Sequence, residues 1–534
     1  MLQTTKVDAW PALKDPIFRM LWVATLASNI GTWMHEVGAA WLMLSMTKNA
    51  LWVSLIQAAT SLSIFLLALP AGALADIFDR RRYLIGLQSS MLLVAATLAS
   101  VTYWGLMTPP LLLMLTFFLG CGAALSTPTW QSIIPEIVKP EDLYSGIILN
   151  GLAFNISRAI GPAIAGFIIA ALGVGAVFAI NAISFCAIIF ALKRWKRIPN
   201  ESTLPAERFF GAIRAGLRYV RATPSLQQVM IKSGAFFIFA SAVWALVPVT
   251  ARLVLKCGPI SYGILLACLG VGAILGAFCL QKLRKILTID QLVFLGAMAF
   301  SLTCYLLGVI QHYYVACAAL ILAGFAWISV IATLNTQAQL SVSSWVRARA
   351  LSVYLMIFLG SMALGSVIWG WLATQQSVKF SLLVAGFGII ISNVFTYWVK
   401  LENTQMLDHT PAKDSPAPTG EALPEHEQGP VMINVEYRVK RENQEKFMAA
   451  IAETRRIRLR EGAFFWSLFH DIENHQRFVE CFMVESWLEH LRYHERVSIS
   501  DRKTQSKVNA FHEGSARPKV THLFAEQVPP KKSK

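Results

Sequence analysis
A polar or ionisable side chain inside a long apolar run is costly to keep out of water, so each one in this chain is a candidate for binding or proton chemistry. In the run 17–46, Asn29, Trp33 and Glu36 recur at i, i+4 and i+7, which sets an amide, an indole and a carboxylate on one helix face. In the run 143–172, Asn155 and Arg158 fall near mid-span. Counted along their helices at about 1.5 Å per residue, Glu36 and Arg158 reach the same depth to within about 5 Å. That spacing predicts a buried ion pair, or two groups that alternate around one. A carboxylate that loses a neighbouring cation favours its protonated form, so such a pair can couple proton uptake to ligand binding. A static pair that only fixes helix packing is the alternative. Glu36, Arg158, Asn29, Trp33 and Asn155 are therefore the coupling and substrate candidates, with Glu36 foremost.

Other polar residues that could line a cavity are His35, Trp130 and Gln131 in the first half and Trp244, Asn335 and Gln339 in the second. Asn335 and Gln339 share a face at i, i+4. Hydrogen bonding between helices, or packing at the lipid interface, is the competing role for each. Far along the chain, His490 and His494 stand at i, i+4 and could grip a metal ion from one helix face. No third ligand is evident and basic residues surround them, so a solvated face is the expectation and no metal site is assigned. The chain has no phosphate-binding glycine loop, no dinucleotide fingerprint and no nucleophile with an attendant base, which argues against direct ATP drive and leaves no cofactor to expect. The eight cysteines show neither a Cys-x-x-Cys pair nor a metal spacing.

The elements that must position these groups are long apolar helices. The 534 residues are 55% hydrophobic, with a mean hydropathy of +0.52. Apolar runs long enough to span a bilayer, about 20 residues each, fall near 17–46, 50–75, 83–106, 109–135, 143–172 and 174–193, then near 226–255, 259–281, 288–311, 313–340, 347–374 and 378–400. The net charge of +16 is spread over span ends rather than gathered into one aromatic-laced patch, so a nucleic-acid partner is not expected. Arg80, Arg81 and Arg82, Lys139, the basic stretch Lys193 to Pro224, and Lys282, Arg284, Lys285, Arg347 and Arg349 all fall on one side of this reading, whereas the other side carries little beyond Lys48, Lys256 and Lys379. Positive charge is retained on the inner side, so both termini are expected to be cytoplasmic. Residues Met1 to Lys14 lack the short apolar core of a removable signal peptide. Beyond Lys400, residues 403–429 are rich in proline and charge and read as a flexible linker. From 431 onward the pattern is strand, helix, strand, strand, helix, strand, with one long helical stretch over Trp487 to Glu513, which suits a ferredoxin-like α+β domain. The expected organisation is a six-helix bundle at 1–194, a cytoplasmic linker at 195–224, a second six-helix bundle at 225–402, the flexible linker at 403–429 and a cytoplasmic α+β domain at 430–528. The fold class is thus an all-α polytopic membrane protein with a small α+β tail.

Three motifs carry a family resemblance. Gly72, Leu74, Asp76, Asp79, Arg80, Arg81 and Arg82 lie in a tight turn between two spans and resemble the loop between helices 2 and 3 of the major facilitator superfamily. Ile77 and Asp79 depart from that loop's usual Arg and Gly in a way that resembles the transmembrane secretion effector family, which includes enterobactin-exporter-like carriers. Gly161, Pro162 and Gly166 resemble the Gly-Pro motif of the superfamily's exporters, with Ala165 interrupting its final glycine pair. Ser486-Trp487-Leu488-Glu489-His490-Leu491-Arg492 is similar to the tail signature of the same family, and the tail is similar to dimeric α/β-barrel proteins, some of which are cofactorless monooxygenases.

The resemblance implies a twelve-helix, six-plus-six carrier whose halves rock around a central cavity, with the Gly72 to Arg82 turn as a conformational latch and Gly72 allowing two helices a close approach. It implies secondary active export of siderophore-like or drug-like amphiphiles, driven by protons, in the inner membrane. A homodimer formed through the tail is a further expectation. A membrane-tethered enzyme, and a ligand sensor with a regulatory tail, are the other two classes.

Overall fold
The computed structural model describes residues 11–195, 209–343, 345–401, 428–514 and 517–525, so the expected flexible linker at 403–429 lies outside the described residues apart from its last two. The apolar runs become α1 (Pro16–Met46), α2 (Ala50–Ile77), α3 (Arg80–Tyr103), α4 (Pro109–Ile137), α5 (Leu143–Leu172) and α6 (Val174–Arg194). A second set follows: α8 (Pro224–Val249), α9 (Pro259–Ile286), α10 (Ile289–Val309), α11 (Tyr313–Leu340), α12 (Arg347–Gln375) and α13 (Val378–Phe395). Eleven of these are long and apolar enough to cross a membrane. The remaining one, α1, is 31 residues long but carries Arg19, Asn29, His35 and Glu36, and it packs along α5 and α6.

Local chemistry sets where these helices begin. Proline occupies the first turn of α1, α4 and α9, where its missing N–H removes no helical bond. Asp15, Asn49 and Asp79 accept hydrogen bonds from the first backbone amides of α1, α2 and α3, and Thr288 forms a reciprocal capping box with Gln291 at α10. In the first half, Leu21, Leu84, Ile133, Ile188 and Leu192 bury one cluster that joins α1, α3, α4 and α6. The two halves meet where α5 crosses α9. A Cβ added at Gly263 would lie 2.5 Å from the Pro162 carbonyl oxygen and 3.2 Å from Gly166 Cα, and one at Gly270 would lie 2.7 Å from Ala159 Cα. Only glycine fits this backbone-to-backbone approach, which is how helices gain packing energy in a bilayer that offers no hydrophobic driving force.

The chain divides into two compact units, and the second collects 208–228, 337–353 and 402–534. Its centre is a four-stranded antiparallel sheet in the order β2-β3-β1-β4, from β1 (Val431–Arg438), β2 (Ala463–His470), β3 (Arg477–Val484) and β4 (Lys519–Phe524). With α14 (Gln444–Glu461), α15 (Trp487–Arg496) and α16 (Ile499–Asn509), this gives the ferredoxin-like order. The expected single helix over Trp487 to Glu513 is broken at Val497 and Ser498, because Ser498 caps α16 in a reciprocal box with Asp501. Alternate residues Val431, Ile433, Val435 and Tyr437 of β1 face the core with Phe447, Ile451, Phe478 and Phe482. Beneath them Glu480 is fully buried. It accepts from Arg458 Nε at 3.0 Å, Trp466 Nε1 at 3.0 Å and Tyr437 Oη at 3.1 Å.

The basic connection expected to be a linker contains a further helix, α7 (Phe209–Ala222). Arg214, Arg218 and Arg221 mark its polar side, while Tyr219 is buried. Within the second unit, Ser343 N donates to Tyr219 Oη at 3.0 Å, Arg460 lies over the Tyr219 ring at 5.5 Å, Arg496 lies over Trp345 at 4.0 Å, and Arg214 pairs with Glu485 at 3.0 Å. The α+β domain therefore holds both α7 and the turn that joins α11 to α12.

Glu461 ends α14 inside this contact. Its Oε1 accepts from Arg460 Nε at 2.9 Å, but its Oε2 has no partner, and burial pushes its carboxyl up from the ordinary value to about 7 despite that arginine. A raised folded-state value means that the folded unit keeps a proton that the unfolded chain has lost. Stability is complete below about 4.5 and declines as pH rises to about 7, by on the order of 3 kcal/mol. Hydrogen exchange of the β1 amides in the full chain should show that decline between pH 5 and 7.5, and Glu461→Gln should flatten it.

Candidate functional site
The first unit contains a cavity lined by Trp33 and Glu36 from α1, Gln57 from α2, Arg158 from α5, Trp244 from α8 and Tyr262 from α9. Its walls are otherwise apolar, with Val37, Ile56, Leu266 and Leu269 among them. Small and hydroxylated residues hold the first face in register. Ser157 Oγ donates to Ala153 O on its own helix at 2.8 Å and to Leu26 O of α1 at 3.3 Å, one residue before Arg158. Gly161 lies against Trp33, since a Cβ there would come 2.7 Å from Trp33 Cβ. Pro162 lines the cavity and Gly166 makes the α5–α9 crossing.

Glu36 and Arg158 thus face one cavity, yet they do not form the expected ion pair: among the described residues neither makes a salt bridge or a side-chain hydrogen bond. The reason is azimuthal. The Arg158 guanidinium, 8% exposed, is turned between two indoles, with Cζ 5.8 Å from the Trp33 ring centroid and 5.3 Å from that of Trp244. Its Nε and Nη2 have no hydrogen-bond partner. Cation–π attraction to two desolvated rings offsets part of the cost of burying the charge.

At the end bearing the α1–α2 and α8–α9 turns the cavity is shut. Trp41 stacks on Tyr262 at 5.8 Å, and Arg252, placed by a single π-helical turn at Thr250–Val254, lies 4.9 Å over the Trp41 ring and donates to Trp41 O at 3.4 Å. Nearby, Thr374 Oγ1 donates to Asn49 Oδ1 at 2.8 Å, tying α12 to the cap of α2.

The opposite end carries the arginine turn. Asp79 caps α3 by accepting from Arg82 N at 2.9 Å. Arg80 pairs with Glu136 at 2.8 Å and donates to Ser132 O at 3.3 Å, while Arg81 donates to the closing carbonyls of α6, Leu192 O at 2.9 Å and Lys193 O at 2.6 Å. Arg82 is exposed. Gly72 does not make the expected close approach, since a Cβ there would meet nothing within 4 Å, and the Asp76 side chain lies outside the described residues. The second half has its own version: Arg284 Nη2 donates to Ala332 O at 3.4 Å and to Thr336 Oγ1 at 3.3 Å.

Several candidates fall elsewhere. His35 is buried against Phe178 at 5.1 Å, and Trp130 packs on the apolar cluster of α1, α3, α4 and α6. Asn29 lies off the lining. Gln131 and Asn155 are exposed, Asn155 donating to Gly151 O at 2.9 Å, and Asn335 and Gln339 are exposed near the end of α11. The sequence reading missed Gln57, Tyr262, Trp41 and Arg252. It also missed the Lys232–Asp290 pair at 2.5 Å, in which Asp290 accepts from Leu401 N as well. A lysine inside the apolar run 226–255 was the available signal.

In the second unit, His490 is 2% exposed rather than solvated, and His522 of β4 stands against it with ring centroids 4.7 Å apart. His494 Nε2 lies 3.3 Å from His490 Nε2. Burial, with His494 and His522 alongside, pushes His490 down to about 3, and burial likewise lowers His494 to about 4. These are packed neutral imidazoles, and among the described residues no three ligand groups are placed to hold a metal ion.

A long-helix carrier fold, a cavity between its halves and an arginine turn on each half together define a membrane transporter. The transmembrane secretion effector family model matches residues 7–529, and the chain belongs to that family of the major facilitator superfamily. It is 26% identical over 378 residues to the staphyloferrin A transporter of Staphylococcus aureus, a match covering 69% of this chain and 93% of that protein. It is 23% identical over 397 residues to the enterobactin exporter EntS of Escherichia coli, covering 72% and 92%. Among solved structures it resembles a bacterial homologue of the human lysosomal transporter Spinster, at 13% identity and a TM-score of 0.58, over 73% of this chain and 97% of that one. It also resembles a bacterial homologue of the iron transporter ferroportin, at 14% identity and a TM-score of 0.56, over 72% and 98%. The family is one of transporters and not enzymes, and the transporter reading takes precedence over a tethered enzyme or a sensor.

The glycine crossing of α5 and α9 should be what lets the shut end close. Valine at Gly263 would push Pro162 and Gly166 away, so Gly263→Val should lengthen the distance between spin labels at Lys48→Cys and Gln375→Cys in a background without the native cysteines. An unchanged distance distribution would show that the crossing tolerates a side chain.

Proposed function
We propose that this protein exports small amphiphilic molecules, siderophore-like or drug-like, across the inner membrane by proton-coupled antiport. The observation that carries the reading is the cavity between the halves, in which Glu36 and Arg158 face a shared space without being bonded to each other. Two ionisable groups placed in this way can change partners as the halves, 1–194 and 225–402, rock about them. The end shut by Trp41, Tyr262 and Arg252 faces outward, and the arginine turn, both termini and the α+β domain face the cytoplasm, in keeping with the inward bias of Lys and Arg. The names of the two relatives, a staphyloferrin A transporter and an enterobactin exporter, support a siderophore-like substrate.

In this mechanism Glu36 takes a proton from the outer side and releases it to the cytoplasm, while substrate occupies the cavity in the opposite half-cycle. The Gly72 to Arg82 turn, with Asp76, Asp79, Arg80, Arg81 and Arg82, steadies the two states by exchanging contacts such as Arg80–Glu136. The α+β domain regulates through its hold on α7 and on the α11–α12 turn. It also pairs with a second copy through the uncovered sheet face, where Phe465, Phe469 and Leu523 are exposed.

Inverted membrane vesicles energised with a proton gradient should accumulate a siderophore or a lipophilic dye, and Glu36→Gln should abolish the gradient-driven component while leaving exchange of substrate intact. Undiminished gradient-driven uptake by the variant would remove Glu36 from the coupling role.

A further inference from the structure
The geometry points to Arg158 as the receptor for a planar two-oxygen anion, such as a carboxylate or a catecholate, borne on an apolar or aromatic body. This deepens the export reading and rests on it for the identity of the cavity as the substrate site. The guanidinium edge formed by Nε and Nη2 presents two parallel N–H groups, the fork that fits two oxygens of one anion. In Arg158 both atoms of that edge are buried without a hydrogen-bond partner. The same chain shows what the edge binds when it is filled. In the α+β domain, Arg458 gives Nε to Glu480 Oε1 at 3.0 Å and Nη2 to Oε2 at 3.4 Å, and Arg477 gives Nε and Nη2 to Glu436 Oε2 at 3.2 and 3.0 Å.

Glu36 does not fill this role although it lines the same cavity. Trp33 and Trp244 hold the guanidinium from the sides, so its direction is set before any ligand arrives. A buried donor pair left unmatched is costly, and an anion that completes it recovers that cost on binding. The apolar walls from Val37, Ile56, Leu266 and Leu269 suit the body of such a ligand, and the Glu36 carboxyl on the same lining disfavours a second anionic group. The site therefore selects for anionic charge concentrated at one end of the molecule.

The test is equilibrium binding to the purified full-length protein in detergent, read by fluorine NMR line broadening, with 4-fluorobenzoate, 4-fluorocatechol and 4-fluorobenzamide as probes. At a pH between the ionisation of a carboxylic acid and that of a phenol the ionised benzoate should broaden and the neutral benzamide should not, and a catechol that broadens only once raised pH removes its first phenolic proton marks vicinal-oxygen rather than carboxylate recognition. Arg158→Gln should weaken the active probe on the order of tenfold or more, and Arg158→Lys, which keeps the charge and loses the fork, should fall between. Thermal melts identify a misfolded variant, and Trp244→Leu, which removes one wall of the clamp while leaving Arg158 in place, should then show a weaker effect of the same sign. Equal broadening by benzamide and benzoate, or full retention by Arg158→Gln, overturns the assignment. Because no gradient is used, binding with these dependences alongside a failed vesicle assay would refute export and leave the anion site standing.

Discussion

A guanidinium kept out of water with no carboxylate bonded to it is the constraint on which the arrangement of the first unit depends. Removing Arg158 from solvent carries a penalty that grows as the surroundings become less polar. It is tolerated because three helices are held in a register that puts an indole on either side of it. The register has identifiable causes. Ser157 ties α5 to α1, Gly161 lets the two helices close on Trp33, and the glycines of α5 and α9 bring the second half near enough for Trp244 to complete the clamp. A bulkier residue at any of these positions would move a wall of the clamp before it touched the charge itself.

The second unit gives the α+β domain a role beyond that of an appended module. It takes up α7, which lies on the path between the two halves, and the 337–353 segment, which joins α11 to α12. The contacts are of mixed type: a tyrosine hydroxyl reached by a backbone amide, two arginines over aromatic rings and a surface ion pair. Exposed pairs such as Arg214–Glu485 add little by themselves, so the hold depends chiefly on Tyr219, Arg460 and Glu461, which are out of water.

The helices were legible because a bilayer demands long apolar runs, and the runs in this chain end at prolines, glycines and arginines that mark boundaries within a few residues. The βαββαβ order was legible for a similar reason, since alternate residues such as Val431, Ile433 and Val435 declare a half-buried strand. The site was only half legible. Residue counting along a straight helix gives depth, and it paired Glu36 with Arg158, which do line one cavity. Counting gives no direction around the helix axis for a side chain with four torsions, so the indole clamp was hidden. Gln57 and Tyr262 were hidden too, because a single polar residue in an apolar run looks the same whether it faces a cavity or a neighbouring helix. His490 was misread as solvated because its sequence neighbours are charged, while the residue that buries it, His522, is thirty-two positions away.

The two arginine contacts, one on each half, are alike in form and differ in kind. Arg80 reaches along α4 to a backbone carbonyl and, one turn on, to the carboxylate of Glu136. Arg284 reaches along α11 to a backbone carbonyl and, one turn on, to the hydroxyl of Thr336. One contact joins two formal charges and the other sets a charge on a neutral acceptor, so only the first is an ion pair that dissolved salt can screen, and its partial burial limits that screening. Added salt would therefore act on the two halves unequally, bearing on the ion pair of Arg80 and Glu136 and little on the contact made by Arg284.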